Sequence, residues 1–403
     1  MKKNKFSEFI SQIKNGSGEI ILEKEFLHIL ENKKKLLIKV GFDPSSANMH
    51  LGHLVLLNKL KIFQEHGHKI VFLIGNFTGM IGDPTGKEST RKMLTEEQVQ
   101  KNALSYKNQV FKILDEQKVD IKYNADWLKH LTFNDLLKLL SKYTVARILE
   151  RDDFKKRYKN NRSISIHEFV YPLLQGYDSV HLKSDVEIGG TDQKFNLLVG
   201  RELQKRYGQK PQTIITVPLL EGTDGKNKMS KSLNNSIDIS DPSSEIFGKT
   251  MSINDDLMWK YYALIINKNS KQIKSMKDSC KNGEDKKKLK LNLAFLITKM
   301  LHGEKIAKLE KDNFENQFKE KKQPIVMQEL EVKTSEKLLK LCYIMKKSKI
   351  CKSSSYAKRL IDQNAVRIND VKVTDSEHSV EVDSNFVLKV GKKCFFKIKI
   401  KSQ

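Results

Sequence analysis

Between residues 35 and 260 the chain alternates short, continuously apolar segments with longer amphipathic ones, and this alternation limits the possible folds most. Segments with helical apolar spacing lie near 52–66, 96–116, 133–157, 166–183 and 192–206. Apolar segments that read as strands lie at 35–42, 69–75, 119–123, 185–190 and 212–220. Strands that are apolar throughout and alternate with helices are typical of a parallel sheet covered on both faces. We therefore predict a doubly wound, Rossmann-like α/β domain over residues 1–240.

Glycines follow several of the predicted strands. Gly41, Gly75 and the pair Gly189 and Gly190 all stand at or just beyond a strand end. In open α/β sheets ligands bind beyond the carboxyl ends of the strands. The sequence therefore predicts a binding site at that edge.

The remainder of the chain changes character twice. Residues 241–320 have helical patterns and no strand signal, so we predict an α-helical domain there, and 321–336 resembles a linker. Residues 337–403 combine a helix with short strands, and residues 331–403 contain 17 Lys and Arg against 8 Asp and Glu. A compact basic module of this kind is a candidate for binding nucleic acid.

The overall charge and the cysteines restrict the function further. The formal net charge of +25 suits a polyanionic partner, although scattered surface lysines are an equally good explanation. The four cysteines have no CxxC spacing, so we predict neither a zinc site nor disulfides, and no other metal site of the chain's own. No apolar stretch is long enough for a membrane span and the N-terminal residues lack a secretory signal. We expect a cytoplasmic protein with no membrane partner.

The segment "NMHLGHLVLL" places His50 and His53 three positions apart at the start of a predicted helix. Residues at this spacing share a helix face, and the free N–H groups of a helix start favour anions. Gly52 leaves space beside them. The stretch lacks the i, i+4 histidines and the glutamate of a zinc protease. Taken alone, it also fits two solvated or capping histidines.

A second motif, "KMSKS" at 228–232, follows the last predicted strand in a glycine-rich loop. Lys228 and Lys231 on such a loop could follow a triphosphate as its charge moves toward departing pyrophosphate. An isolated basic loop is more often solvated surface. "GDPTGK" at 82–87 is not a Walker phosphate loop, because Ile81 and Glu88 occupy positions that require Gly and Ser or Thr.

Together, the two motifs resemble the HIGH and KMSKS signatures of class I aminoacyl-tRNA synthetases. This resemblance implies that His50 and His53 hold ATP phosphates during adenylate formation, with Lys228 and Lys231 as catalytic cations. It also implies that Gly52 lets the adenine ring approach the helix.

Four further segments, "VGFDPSSANMHLGH", "GMIGDPTGKESTR", "YPLLQGYDSV" and "GGTDQKFN", resemble the bacterial tyrosyl-tRNA synthetase family in particular. The resemblance covers essentially the whole chain and implies an S4-like RNA-binding domain at 337–403. It implies L-tyrosine, ATP with accompanying Mg²⁺, and tRNA-Tyr as reaction partners. It also implies a homodimer.

The resemblance assigns the tyrosine pocket to residues around one helix face. Tyr171, Gln175 and Asp83 are expected around the substrate's ammonium group, and Asp178 is expected to accept from the phenolic hydroxyl. Tyr171, Gln175 and Asp178 lie at i, i+4 and i+7 and so share a face, which by itself also fits a polar surface stripe. Asp43 is expected beside the substrates, near the ribose region.

The resemblance also assigns the ATP site. Asp192 is expected to hold the ribose, and Gly189 and Gly190 are expected to permit close backbone approach. Ser45 is expected at the γ-phosphate. Lys87 and Arg91 resemble mobile cations that help to contain pyrophosphate, although charged surface loops give the same pattern.

One position departs from the better-known branch of the family, which has a tyrosine where this chain has Lys39. The departure leaves recognition of the hydroxyl resting mainly on Asp178. A tryptophanyl-tRNA synthetase shares the fold, but the S4-like tail and Asp178 favour tyrosine. An RNA-binding protein that has lost catalysis is a third reading, against which the intact motifs argue.

The basic tail supplies candidates for phosphate contacts with RNA. Any of them could equally be ordinary surface. They are Lys352, Lys358, Arg359 and Arg367.

Overall fold

The computed structural model of the chain divides into two compact units, Met1–Lys311 and Asp312–Gln403. The described residues are 2–33, 35–85, 94–281, 285–319, 328–336, 338–348, 350–369, 371–382, 384–391 and 394–402. Most of the predicted helical region 241–320 belongs to the first unit, so the predicted boundary near 240 does not separate compact units. No helix in the described ranges has the length and apolarity needed to cross a bilayer.

The first unit is built on a six-stranded sheet in the order β1-β6-β5-β2-β3-β4. Its strands are β1 Glu19–Ile21, β2 Leu37–Phe42, β3 Lys69–Ile74, β4 Val119–Tyr123, β5 Val186–Gly190 and β6 Thr213–Val217. Strands β2 to β6 are parallel, and β1 runs antiparallel to β6. The five predicted strands and the α/β class are confirmed. The sequence reading missed β1, because three residues are too few to show a period.

Helices cover the sheet and continue beyond it. Those up to the last strand are α1 Lys2–Lys14, α2 Glu23–Asn32, α3 Leu51–Glu65, α4 Thr78–Ile81, α5 Glu96–Val110, α6 Ala125–Leu128, α7 Phe133–Leu140, α8 Val145–Ile148, α9 Asp152–Lys159, α10 Ile166–Leu182 and α11 Lys194–Arg206. The later ones are α12 Ser243–Ser252, α13 Asp255–Leu264, α14 Ser270–Lys281, α15 Lys286–His302 and α16 Glu304–Lys319. Short 3-10 turns lie at Glu116–Lys118, Thr191–Gln193 and Lys231–Leu233.

The single helix predicted at 133–157 is three helices, α7 to α9. Thr144 explains one interruption, because its side chain accepts a hydrogen bond from the Arg147 N–H and caps a new helix. The apolar spacing continues across the interruption, so periodicity alone did not reveal it.

Two helices fix the position of the binding edge. Helix α3 packs on the sheet through an apolar face that includes the fully buried Leu54, Leu57 and Leu60. Helix α10 crosses α11 so closely that a Cβ on Gly176 would lie 2.8 Å from Leu203 Cδ1 and 3.1 Å from Gly200 N. Because Gly176 and Gly200 have no side chains, α10 and α11 pack closely, and this packing holds α10 in one position against α11.

Among its described residues, the second unit has its own sheets, the end of α16, two further helices and a separate apolar core. Its elements are β7 Gln328–Thr334, β8 Leu338–Lys340, α17 Leu341–Lys347, α18 Ser354–Asp362, β9 Val366–Ile368, β10 Val371–Lys372, β11 Ser379–Glu381, β12 Asn385–Val390 and β13 Cys394–Ser402. The five-stranded sheet has the order β10-β9-β12-β13-β7, and β11 pairs with β8.

The predicted linker 321–336 is wrong for residues 328–334. These residues form β7, which pairs in parallel with β13. Val332 is buried in the core of the unit, whereas Glu329 and Glu331 form ion pairs with lysines of β13. The alternation is that of a half-buried strand, but its charged residues made the segment read as a linker.

Candidate active site

A cavity of about 660 Å³ opens at the carboxyl edge of the first unit's sheet. It is lined by every described residue for which the sequence predicted a role toward ATP or tyrosine. These residues are Asp43, Ser45, His50, Gly52, His53, Asp83, Tyr171, Gln175, Asp178, Gly189, Gly190, Asp192, Lys228 and Lys231. Lys87 and Arg91 lie outside the described residues.

The two histidines fold back on the start of α3. His50 is the N-cap, and its Nδ1 accepts from the Gly52 N–H at 3.2 Å. His53 Nδ1 accepts from the His50 N–H at 3.1 Å, and the ring centroids lie 4.0 Å apart. Because each Nδ1 accepts, each ring carries its proton on Nε2. A Cβ on Gly52 would come within 2.9 Å of the His50 ring, so a glycine permits this arrangement.

Both histidines are uncharged at neutral pH. Burial, together with the charges of Lys231 and Lys228, lowers the pKa of His50 to about 4. Burial lowers the pKa of His53 well below its usual range, and His50 adds to the effect. The rings are therefore neutral hydrogen-bond donors rather than cations.

The positive charge at this end of the cavity comes from the lysine loop. Lys228 Nζ lies 3.3 Å from Asp192 Oδ2, and Lys231 Nζ lies 3.3 Å from Asp238 Oδ2. Ion pairs this accessible to solvent are weak, so a polyphosphate could displace them. The loop lies beside α3 because His50 forms a β-bridge with Asp238, and the Leu51 N–H donates to the Ile237 carbonyl.

The opposite end of the cavity is acidic. Asp43 Oδ1 accepts from the Thr78 hydroxyl and Oδ2 from the Tyr171 hydroxyl, each at 2.8 Å. Burial raises the pKa of Asp43 to about 7, with Asp83 and Asp178 adding to the rise while the hydroxyl donors oppose it. Burial also raises the pKa of Tyr171 well above its usual value.

A network of amides orients the polar groups between the two ends. Gln193 Nε2 donates to Asp83 Oδ2 at 2.7 Å, and Gln193 Oε1 accepts from Asn196 Nδ2 at 3.0 Å. The same Asn196 amide donates to Gln175 Oε1 at 3.0 Å. The sequence reading missed Gln193 and Asn196, although both follow the "GGTD" segment at the end of β5.

Asp178 lies at the deep end with 2% of its surface exposed. Its Oδ1 accepts from Trp127 Nε1 at 2.9 Å and its Oδ2 from Asn124 Nδ2 at 3.2 Å. Burial raises the pKa of Asp178 to about 7 against the opposing effects of Lys39 and of these two donors. The sequence reading also missed Trp127 and Asn124. Their position just after β4 was the available signal.

The four predicted RNA-contact residues lie on the second unit, from just before α18 to β9. Lys352, Arg359 and Arg367 are exposed. Lys358 pairs with Glu377, and the Arg359 guanidinium lies 6.0 Å from the centre of the Tyr356 ring. These contacts neither favour nor oppose an RNA role.

Two family models match the chain. Residues 31–319 match the tRNA synthetases class I (W and Y), and residues 320–398 match the tyrosine–tRNA ligase SYY-like C-terminal domain. The tyrosine–tRNA ligase of Idiomarina loihiensis is 48% identical over 398 residues, which is 99% of each chain. That of Coxiella burnetii is 48% identical over 393 residues, 98% of each chain.

Solved structures with the same fold include tyrosyl-tRNA synthetases. The enzyme of Archaeoglobus fulgidus, complexed with L-tyrosine, matches with a TM-score of 0.63 and 23% identity over 76% of this chain and 99% of its own. A C-terminally truncated mitochondrial enzyme of Aspergillus nidulans matches with a TM-score of 0.64 and 19% identity over 77% and 93%. At these identities the likeness concerns the fold.

Replacing His50 with Asn should reduce the loss of stability on acidification. Asn is a good N-cap, so the helix start is retained. Because the folded pKa of His50 is about 4 against 6.5 normally, the unfolded chain binds more protons between these values, and folding stability falls as pH falls through that window. From pH 7.5 to 5.5 the parent should lose about 1 kcal/mol more than His50→Asn in urea unfolding. Equal losses would contradict the buried, neutral imidazole.

Proposed function

The chain belongs to the class I tRNA synthetases of the tryptophan and tyrosine group and, within it, to the tyrosine–tRNA ligases, and on this premise we propose which end of its cavity binds which substrate. The reaction activates L-tyrosine with ATP and transfers the tyrosyl group to tRNA in protein synthesis. The observation that carries the assignment is the convergence of two imidazoles and two lysines at one end of a cavity whose other end is lined by carboxylates.

In the first step the tyrosine carboxylate attacks the α-phosphorus of ATP. A carboxylate oxygen–phosphorus bond forms, and the bond to the bridging oxygen of the departing pyrophosphate breaks. No side chain acts as nucleophile, so the protein contributes positioning and charge stabilisation. The Nε2–H groups of His50 and His53 donate to phosphate oxygens, while Lys228 and Lys231 leave their carboxylates to follow the charge onto pyrophosphate. Lys87 and Arg91 assist in containing it.

Neutral histidines suit this step for a physical reason. A neutral Nε2–H donor strengthens as negative charge grows on the oxygen that it contacts, and it does not need to lose a proton to act. The lysines supply the formal charge from a loop with solvent access, where an ammonium group is cheaper to keep ionised than inside the cavity. Donors aimed at developing charge are often the largest catalytic contribution in such sites.

The rest of ATP fits the glycine-rich end of β5. Asp192 holds the ribose, Asp43 lies beside it, and Ser45 contacts the γ-phosphate. A Cβ on Gly190 would lie 2.6 Å from Asp192 Oδ1, and a Cβ on Gly189 would lie 3.0 Å from Leu197 Cδ1. Both positions therefore need to remain glycine if the nucleotide is to meet the backbone there.

Mg²⁺ accompanies ATP in this proposal, held by phosphates and water. In the part of the chain that the structure describes, no group of three or more His, Cys, Asp or Glu side chains is arranged to bind a metal ion.

The amino acid occupies the acidic end. Tyr171, Gln175 and Asp83 surround its ammonium group, and Asp178 accepts from the phenol. Asp178 is held by two donors and lines the cavity. A site that pairs buried polar groups with a substrate hydroxyl rejects an analogue without it, and tyrosyl-tRNA synthetase is itself the standard example of that principle.

In the second step the terminal ribose of tRNA-Tyr attacks the carbonyl carbon of tyrosyl-adenylate and displaces AMP. The second unit, an S4-like module, binds the RNA through Lys352, Lys358, Arg359 and Arg367. We further propose that the enzyme works in the cytoplasm as a homodimer. Five large apolar side chains between α7 and the start of α10 are exposed and would be covered by a second copy. They are Phe133, Leu137, Val145, Tyr158 and Ile166.

Lys231→Ala should lower the rate of tyrosine-dependent pyrophosphate exchange into ATP by about 10² to 10³, because one donor to the transition state is lost. The KM for tyrosine should change little. Lys226→Ala is the matched control, since Lys226 is an exposed lysine of the same loop that does not line the cavity. Similar losses in the two variants would refute a specific role for Lys231.

Asp178→Asn should weaken selection of tyrosine over phenylalanine, because the amide replaces a carboxylate acceptor. The ratio of kcat/KM for the two amino acids in pyrophosphate exchange should narrow by about 10- to 100-fold. Asp192→Asn makes the same chemical change at the ribose end and should raise the KM for ATP without altering that ratio. An unchanged ratio in Asp178→Asn would remove Asp178 from hydroxyl recognition.

Changing the four RNA-contact residues to Ala together should lower kcat/KM for tRNA while leaving pyrophosphate exchange intact. The dependence of KM for tRNA on log salt should lose about 1 in slope for each phosphate contact removed. A control with the same change in charge replaces four other lysines of the unit, Lys389, Lys397, Lys399 and Lys401. Equal effects in the two variants would mean that the unit acts through diffuse charge.

A further inference from the structure

Lys39 lies inside the sheet, at the base of the cavity, with none of its surface exposed. Its Nζ forms an ion pair with Glu187 Oε1 at 2.8 Å and donates to Ser179 Oγ at 2.7 Å and to the Gln175 carbonyl at 3.3 Å. An ammonium group has three N–H bonds, and these three acceptors use them all. Lys39 therefore has no donor left for a substrate.

Glu187 is held as firmly as its partner. Its side chain is 3% exposed, and its Oε2 accepts from Ser179 Oγ at 2.8 Å and from Gln212 Nε2. The side-chain oxygen Oε1 of Gln212 in turn accepts from Ser184 Oγ at 2.6 Å. Every contact fixes the ion pair in one geometry, with β2, β5 and α10 each supplying part of it.

Stability alone is a poor reason for such a pair. Taking two charges out of water costs several kcal/mol for each ion, and well-packed apolar residues of similar volume often serve a fold equally well. Both charged groups contact Ser179, which follows Asp178 directly on α10. The electrostatic effect of the Lys39–Glu187 pair on the Asp178 carboxyl group therefore explains the pair better than stability does.

Charged and titratable groups act on Asp178 from each neighbouring element. Lys39 acts from β2 and Glu187 from β5, while Asp43 follows β2 and Tyr171 lies on α10 itself. Trp127 and Asn124, which follow β4, are neutral donors. Burial favours the protonated carboxyl, Lys39 favours the carboxylate, and Glu187 acts against it. Lys39 thus opposes the cost of burying the group.

We propose that Lys39 is a specificity-determining positioning residue that never touches the substrate: clamped by Glu187, Ser179 and the Gln175 carbonyl, it fixes a positive charge behind Asp178. With that charge in place, Asp178 meets the substrate phenol as a carboxylate acceptor, and the resulting charge-assisted hydrogen bond is stronger than one to a neutral acid. The inference rests on the proposed role of Asp178 and explains what maintains it.

Two single variants test this proposal, because they should shift the pH dependence of kcat/KM for tyrosine in opposite directions. Lys39→Met removes the positive charge and leaves Glu187 facing Asp178, so the acid limb of kcat/KM for tyrosine should move to higher pH by about one unit or more. Glu187→Gln keeps the shape and removes the negative charge, so the limb should move to lower pH. Both shifts should appear in KM for tyrosine rather than in kcat or in KM for ATP.

The readout is pyrophosphate exchange between pH 5.5 and 9 with the full chain. Lys59→Met is the matched control, because Lys59 is another buried lysine with three acceptors, the carbonyls of Gln12, Ile13 and Asn15. It does not line the cavity, so its loss should leave the acid limb in place. Should Lys39→Met fail to fold, Glu187→Gln alone decides the question.

Opposite shifts support the proposal. Three outcomes overturn it and would mean that the ion pair has only a structural role. They are acid limbs that shift in the same direction in both variants, an unshifted acid limb in Glu187→Gln, and a uniform loss of activity at every pH. In an Asp178→Asn background the added Lys39→Met change should no longer move the limb; if it does, Lys39 acts on another group and the inference fails. If Asp178→Asn alone leaves the tyrosine to phenylalanine ratio unchanged, the proposed role of Asp178 fails first.

Discussion

The parallel pairing of β2 with both β3 and β5 is the constraint on which the rest of the site depends. Parallel strands end at the same edge, so the loops that follow β2, β3 and β5 open into one space. β2 contributes to that space at three depths: Lys39 within the strand, Asp43 just beyond its end, and the histidine-bearing start of α3 after that. A shift of β2 by one residue would turn each in-strand side chain to the other face of the sheet.

In the proposed reaction the cavity separates two electrostatic tasks that would interfere if mixed. Phosphate binding needs cations that can move with charge, and these are on a loop with access to water. Hydroxyl and ammonium recognition needs acceptors in a fixed place, and these are buried, with the pKa values of Asp43 and Asp178 raised to about 7. A carboxyl group with a raised pKa destabilises the fold at neutral pH and above. Such a cost is typical of binding sites, where recognition outweighs the local optimum of stability.

Much of this arrangement could be predicted because it is local in the sequence. Apolar continuity identified five strands, and the two motifs identified histidines and lysines that line the same cavity. What could not be predicted depends on residues far apart in the chain. The ends of β4 and β5 place Trp127 and Asn196 at the binding edge, but nothing near them in the sequence indicates that Trp127 orients Asp178 or that Asn196 orients Gln175. From the sequence, Lys39 indicated only the loss of a contact to the substrate hydroxyl. In the structure its ammonium group has three buried acceptors from α10 and β5. In 328–334, charged residues concealed a strand whose partner is β13.

The short antiparallel strand β1 protects one edge of the sheet against aggregation. It covers β6, whose sequence "TIITV" is β-branched, uncharged and fully buried. Left bare, such an edge is a template on which another molecule could add a strand and begin to aggregate. The opposite margin of the sheet, β4, is protected differently, since Asp120 and Lys122 place charges along it. Loss of Glu19–Ile21 would therefore be felt first as poor solubility, before any defect in chemistry.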